Sequence, residues 1–337
     1  IRGLTVLQDG SYQARLTPAA CQAAFDGALA VLPAVTPRGP EDSRVVSARR
    51  QLLDSGPRCL ARAGACASAW KALGKVAPLV NAHEKHSAFT GKSLVSYFVG
   101  VTRGECLGKP VAALPPAEQV WRVTEELGLS APEIEWTPAA CQARYDAVRP
   151  VMGKLEALSP NDQRSTLGGL AENLTKCFDR VGRCAEAYRA NAEVQRLAEP
   201  DRHPYSIADS FDRWRARGCW LSRIDGLSGD DQVYWDVELL DRQRTQDKPD
   251  GALCRALVAE LAPLWRPEHT DTAKNDLRAK AMDSAATCLG KAGLCADGRQ
   301  AHIDSVRRRS SRRSAADDAA SAARWAEKFG CPIAAER

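Results

Sequence analysis

Alanine fills more of this chain's apolar positions than any other residue, arginine is abundant among the polar ones, and runs of β-branched residues are scarce. That pattern predicts helices rather than strands. Thr17-Pro18 and Thr137-Pro138 each place an N-cap hydroxyl ahead of a proline at the first helical position, where the missing N–H costs nothing. Asp250 holds the same register ahead of Gly251. A first helix is expected over 18–32. A second begins near Pro40-Glu41-Asp42, matched by Pro160-Asn161-Asp162, and runs to Gly64 or its counterparts Gly182 and Gly293, which suit a left-handed C-cap. A third opens at the cysteine two residues further on. A last helix carries Tyr97 and Phe98, Phe211 and Trp214, or Trp325 and Phe329, read as core side chains, and ends at the glycine before a fourth cysteine. The connector 117–128 reads as a further amphipathic helix.

The cysteines give these signals a period. They stand at 21, 59, 66 and 106, then at 141, 177, 184 and 219, then at 254, 288, 295 and 331, and the middle interval is always seven. Thr17-Pro18-Ala19-Ala20-Cys21-Gln22-Ala23 recurs as Thr137-Pro138-Ala139-Ala140-Cys141-Gln142-Ala143. Gln119 and Gln232 each lie 13 residues after the preceding fourth cysteine, so the connector belongs to the period. The expected fold is all-α: three tandem disulfide-stapled helical repeats of about 113 residues, with four to five helices each, forming an elongated rod or arc. The expected boundaries are 1–108 (its N-terminal connector helix incomplete), 109–221 and 222–337.

An even number of cysteines in three equivalent sets predicts six disulfides within repeats. The first cysteine lies four residues into one helix, and the second lies about five residues before the glycine that ends the next. In an antiparallel hairpin those positions are level, which favours Cys21–Cys59, Cys141–Cys177 and Cys254–Cys288. The same reasoning favours Cys66–Cys106, Cys184–Cys219 and Cys295–Cys331. The nested alternative, first with fourth and second with third, stays open. With so much alanine the core is thin, and each bridge would offset that by roughly 4 kcal/mol in the chain-entropy picture. Persistent bridges imply an oxidising compartment: secreted, cell-surface or periplasmic. Zinc normally takes cysteines two to four residues apart and redox dithiols favour C-x-x-C; neither spacing occurs.

Length, charge and motif content narrow the functions. The chain has 337 residues, 44% apolar and 26% charged, which suits a folded protein of two or three domains. No run approaches the ~20 apolar residues of a membrane span. The net charge of +5, unevenly spread, leaves no part basic enough for a dedicated nucleic-acid site. The chain opens at Ile1 without a signal-peptide core, so a processed or trimmed chain is expected. The alanine- and arginine-rich composition associates it with a GC-rich, bacterial genome.

No nucleophile elbow, zinc helix, phosphate loop or dinucleotide fingerprint occurs, and no cofactor, metal or catalytic residue is expected. The turn 225–231 is acidic but lacks calcium-loop spacing and reads as a solvated connection. The pairs Glu125 with Glu126 and Glu133 with Glu135 read as exposed charge. One basic cluster stands out: Arg307, Arg308, Arg309, Arg312 and Arg313 could grip a polyanion, or form a solvated face partly neutralised by Asp317 and Asp318. The leading expectation is an exported, non-enzymatic binding or structural scaffold whose partner is a protein or a surface polyanion. End-to-end self-association is a further expectation, because the first repeat lacks its connector helix. One alternative is an exported enzyme using His83, Glu84, His86, Asp201 or His203. The other is metal or redox handling through the cysteines.

Overall fold

The structure, a computed structural model, describes residues 5–7, 16–32, 43–81, 89–102, 104–109, 111, 114–129, 135–202, 206–208, 210–211, 219, 223–224, 226–227, 229–262, 272–309 and 314–332. Among them every regular element is a helix. The principal helices are α1 (Pro18–Val31), α2 (Ser43–Arg62), α3 (Cys66–Asn81), α4 (Gly91–Thr102), α5 (Pro116–Gly128), α6 (Pro138–Val148) and α7 (Pro160–Arg180). They continue with α8 (Cys184–Ala198), α9 (Gly229–Thr245), α10 (Gly251–Glu260), α11 (Thr272–Lys291), α12 (Cys295–Arg309) and α13 (Ala315–Lys328). The chain divides into two compact units, Ile1–Val181 with Glu193–Pro200, and Gly182–Ala192 with Asp201–Arg337.

The expected local signals set the helix ends. The Thr17 hydroxyl accepts from the Ala20 N–H at 3.2 Å, and Thr137 does the same for Ala140 at 3.1 Å. Asp250 accepts from both Ala252 and Leu253. Each cap satisfies donors that the first helical turn leaves without partners. Gly64, Gly182 and Gly293 have φ of 82°, 71° and 75°. At two of these ends the next residue closes back on the helix, Ala65 N–H to Leu60 O and Leu294 N–H to Leu289 O, both 2.8 Å. That left-handed closure suits glycine. The expected start of the second helix at Pro40-Glu41-Asp42 lies outside the described residues. Its counterpart starts at Pro160, as expected, capped by Ser159. In the third set the last helix stops at Lys328, two residues short of the glycine before Cys331.

All twelve cysteines are paired in six bridges. They join Cys21–Cys59, Cys66–Cys106, Cys141–Cys177, Cys184–Cys219, Cys254–Cys288 and Cys295–Cys331, at Cα separations of 5.5 to 6.1 Å. This is the first-with-second, third-with-fourth pairing within each set. Bridged chains of this kind belong in an oxidising compartment.

In the first unit, α1 packs on α2, α2 on α3, α4 on α5 and α5 on α7. Phe25, Leu52, Leu53, Leu60, Leu73 and Phe98 fill the core around the two bridges of the first set. In the second unit α11 pairs with α9 and α12. Tyr188, Phe211 and Trp235, all fully buried, meet edge to face at centroid distances of 5.2 to 6.0 Å. Such pairs add to what area burial alone supplies.

The connector helix α5 departs from expectation. Val120, Val123 and Leu127 give it an apolar face, but Arg122 and Glu126 lie buried on that side too. Glu126 is 3% exposed rather than a surface charge. Its carboxylate meets Arg122 Nε and Arg144 Nε at 2.9 Å each. Arg122 also donates to the carbonyls of Cys106 and Lys109 at 2.8 Å. The i, i+4 spacing puts Glu126 on the same helix face as Arg122, and both are buried there. The repeated glutamines also gain a role: Gln119 donates to Leu114 O and Gln232 to Ile224 O, each pinning the chain ahead of its helix.

Candidate functional site

The structure places the sequence-derived candidates unevenly. His83, Glu84, His86 and His203 lie outside the described residues, and Asp201 is exposed. Of the arginine cluster, Arg312 and Arg313 lie outside the described residues. Arg308 and Arg309 end α12, and nothing is described of their side chains. Arg307 Nε donates to Asp318 at 2.7 Å, as the neutralised-face reading expects. All twelve cysteines are bonded and offer no thiolate. Among the described residues no cluster of histidine, cysteine and carboxylate side chains could hold a metal ion, and no helix is long and apolar enough to cross a membrane. Asp231, in the acidic turn expected to be solvated, is buried in the first turn of α9, where the helix dipole favours negative charge.

A cleft of about 410 Å³ in the second unit gathers side chains that sequence reading did not connect. Arg244 comes from α9, Asp283 and Thr287 from α11, His302 from α12, and Ser321, Arg324, Trp325 and Lys328 from α13. Among these described residues three are cations and one is an acid. Asp283 already accepts from the Ser305 hydroxyl, and Arg244 is paired with Asp241. Arg324 and Lys328 are exposed, with the Lys328 ammonium 5.3 Å above the Phe329 ring. His302 Nε2 lies 3.0 Å from the Ser321 hydroxyl, and its ring stacks on Trp325 at 6.0 Å.

Trp325 is seated by glycines. It is 6% exposed, yet its Nε1–H has no hydrogen-bond partner among the described residues. A Cβ on Gly290 would come within 2.8 Å of both Trp325 and Phe329, and one on Gly298 within 2.6 Å of Trp325. Gly290 stands in the last turn of α11 and Gly298 in the first turn of α12, and at each the missing side chain leaves room for the indole. Gly298→Ala is therefore expected to lower stability by about 1–3 kcal/mol, read from the denaturation midpoint, because the indole must shift or the helices separate. An unchanged midpoint would mean the indole slot is loose.

Two phenols elsewhere are tied to carboxylates. Tyr97 donates to Asp54 and Tyr145 to Glu193. Burial first, and then the neighbouring carboxylate, pushes both phenols above the usual tyrosine range. These contacts fix side chains between helices and leave the acids as acceptors.

Among the described residues the cleft around Trp325 thus holds an excess of donors: two exposed cations, a paired guanidinium and hydroxyls, with the buried Nε1–H of Trp325 left over in its wall. That arrangement can receive an anionic oxygen group. His302–Ser321 and Arg307–Asp318 are neighbouring contacts along the α12–α13 pair, so the cleft shares its helices with the basic cluster. No family model, curated protein or solved structure matches the chain.

Proposed function

We propose that this chain is an exported, non-enzymatic binding scaffold of three tandem disulfide-stapled helical repeats, bounded near 1–108, 109–221 and 222–337. Its third repeat binds an anionic group carried by a surface polyanion. The observation that carries the binding reading is the donor-rich cleft at Trp325, where, among the described residues, the lining holds three cations and one acid and the buried indole N–H has no partner. The repeat reading is supported by equal bridge pairing in all three sets and by the matching caps at Thr17, Thr137 and Asp250. The six bridges support a secreted, cell-surface or periplasmic location, where such bonds persist.

Calorimetric titration with heparin, a sulfated polysaccharide, tests the proposal. The double reversal Arg324→Glu with Lys328→Glu should weaken binding at least tenfold with little effect on stability, since both side chains are exposed. Raised salt should weaken binding to the native chain. The Trp325 indole N–H resonance, assigned by its loss in Trp325→Phe, should shift on titration. Unchanged affinity in the double reversal, or an unmoved indole resonance, would remove the cleft from the account.

A further inference from the structure

A second cleft, of about 590 Å³, opens in the same unit between α10, α11 and α12. Its walls include Val258 from α10, Met282 and Leu289 from α11, and Gln300 and Asp304 from α12. The Arg255–Asp297 ion pair, at 3.0 Å, closes one edge.

Comparing the three cysteine sets shows what is missing from it. Four residues after the first cysteine stand Phe25, Tyr145 and Val258. Phe25 is fully buried and so close to Gly56 that a Cβ there would lie 2.6 Å from the ring. Tyr145 is 8% exposed and meets Phe178 edge to face at 6.4 Å. The third set has only a valine at this point. The wall opposite has kept its counterpart: Phe178 and Leu289 each follow the second cysteine of their set, and Leu289 lines the cleft.

The polar partner follows the same register. Nine residues after the third cysteine stand Lys75, Glu193 and Asp304. Where the ring is Phe25 and has no hydroxyl, the position is a lysine, paired with Asp26 at 3.8 Å. Where the ring is Tyr145, it is Glu193, which accepts the phenol O–H. The third set keeps a carboxylate, Asp304, without a tyrosine to face it. The Gln300 amide donates to Asp304 Oδ1 at 2.9 Å.

We propose that this cleft is a binding site for a phenol ring supplied from outside, the tyrosine side chain of a polypeptide partner. The ring would take the place that Tyr145 fills in the second set, between Val258 and Leu289, with its hydroxyl donating to Asp304. A cavity of this size falls in the range of sites that hold a ligand and exceeds a lone ring, leaving room for the backbone attached to it. An apolar wall of Val258, Met282 and Leu289 with the Asp304 carboxylate as acceptor gives both affinity and orientation. This site is separate from the anion cleft, so either can fail without the other.

The chain has two methionines, Met152 and Met282, and only Met282 lines the cleft. Labelling the methionine methyls with carbon-13 therefore gives one reporter and one internal control. Titration with N-acetyl-tyrosinamide and with p-cresol should shift the Met282 methyl and leave that of Met152 in place. Toluene, which lacks the hydroxyl, should bind about fivefold more weakly than p-cresol, and Asp304→Ala should abolish that difference. Val258→Tyr should fill the cleft from within, raise the melting temperature and remove the p-cresol shift. If that variant does not fold, the Asp304→Ala comparison decides instead. A silent Met282 with all three compounds, or equal toluene and p-cresol affinities in the native chain, would overturn the site. Binding of p-cresol without N-acetyl-tyrosinamide would overturn the polypeptide source.

Discussion

Replacing Cys141 and Cys177 together by alanine is expected to lower the free energy of unfolding by about 2–5 kcal/mol, the range for loss of a native bridge in a small exported domain. The bridge ties α6 to α7 across 36 residues of sequence, and both cysteines are buried, at 0% and 1% exposure. Two effects add. The unfolded chain regains the freedom that the closed loop denied it, and the folded chain loses sulfur packing between two helices. Helix α6 is only 11 residues long, below the length at which an isolated helix persists in water. Hydrogen exchange should therefore show α6 losing protection before the rest of its unit. A denaturation midpoint within experimental error of the native one would mean that packing alone holds the pair.

Glu126→Ala should cost a similar amount, about 3–5 kcal/mol, for a different reason. The carboxylate lies between two guanidiniums that are themselves largely buried, at 11% and 14% side-chain exposure. Its removal leaves both charges desolvated without their partner. Folding nevertheless disfavours the ionised carboxylate relative to the neutral one. Burial, the largest cause, raises the Glu126 pKa above its ordinary 4.5 despite Arg122 and Arg144 pulling it down. The folded state then binds a proton more tightly than the unfolded chain. Its contribution to stability is full below 4.5 and is lost as pH rises through the folded value. Chemical denaturation across that window should show this decline in the native protein and not in Glu126→Gln. Replacing Arg122, Glu126 and Arg144 together by apolar residues of similar size should be far milder than Glu126→Ala. Equal losses in the two variants would contradict this reading.

What the sequence made legible is what depends on local spacing. Cys21 and Cys59 could be matched because each stands a countable distance from a helix end, Thr17 on one side and Gly64 on the other. The caps could be read because a hydroxyl or carboxylate serves its own first turn. Glu126 was misread because the pattern of α5 alone does not tell which polar side chains of the inward face have partners; Arg144 lies on another helix. The Trp325 cleft was invisible for the same reason, since Arg244, His302 and Lys328 come from three helices with no common period. Gly290 and Gly298 were the available hint, as glycines with helical residues on both sides rather than at the capping positions just outside a helix. The vacant ring position was readable in principle, because Phe25, Tyr145 and Val258 share a register. Its meaning needed Glu193 beside Tyr145, a contact between helices.

The most direct measurement is non-reducing peptide mapping by mass spectrometry, alongside the intact mass before and after reduction under denaturing conditions. The expected result is six bridged peptide pairs, Cys21–Cys59 through Cys295–Cys331, with every bridge inside one set and joining first to second or third to fourth. Reduction should then add the mass of twelve hydrogens, one for each cysteine. Free thiols in the unreduced chain, a bridge from a first to a fourth cysteine, or a bridge between sets would contradict the stapled scaffold and the exported location inferred from it.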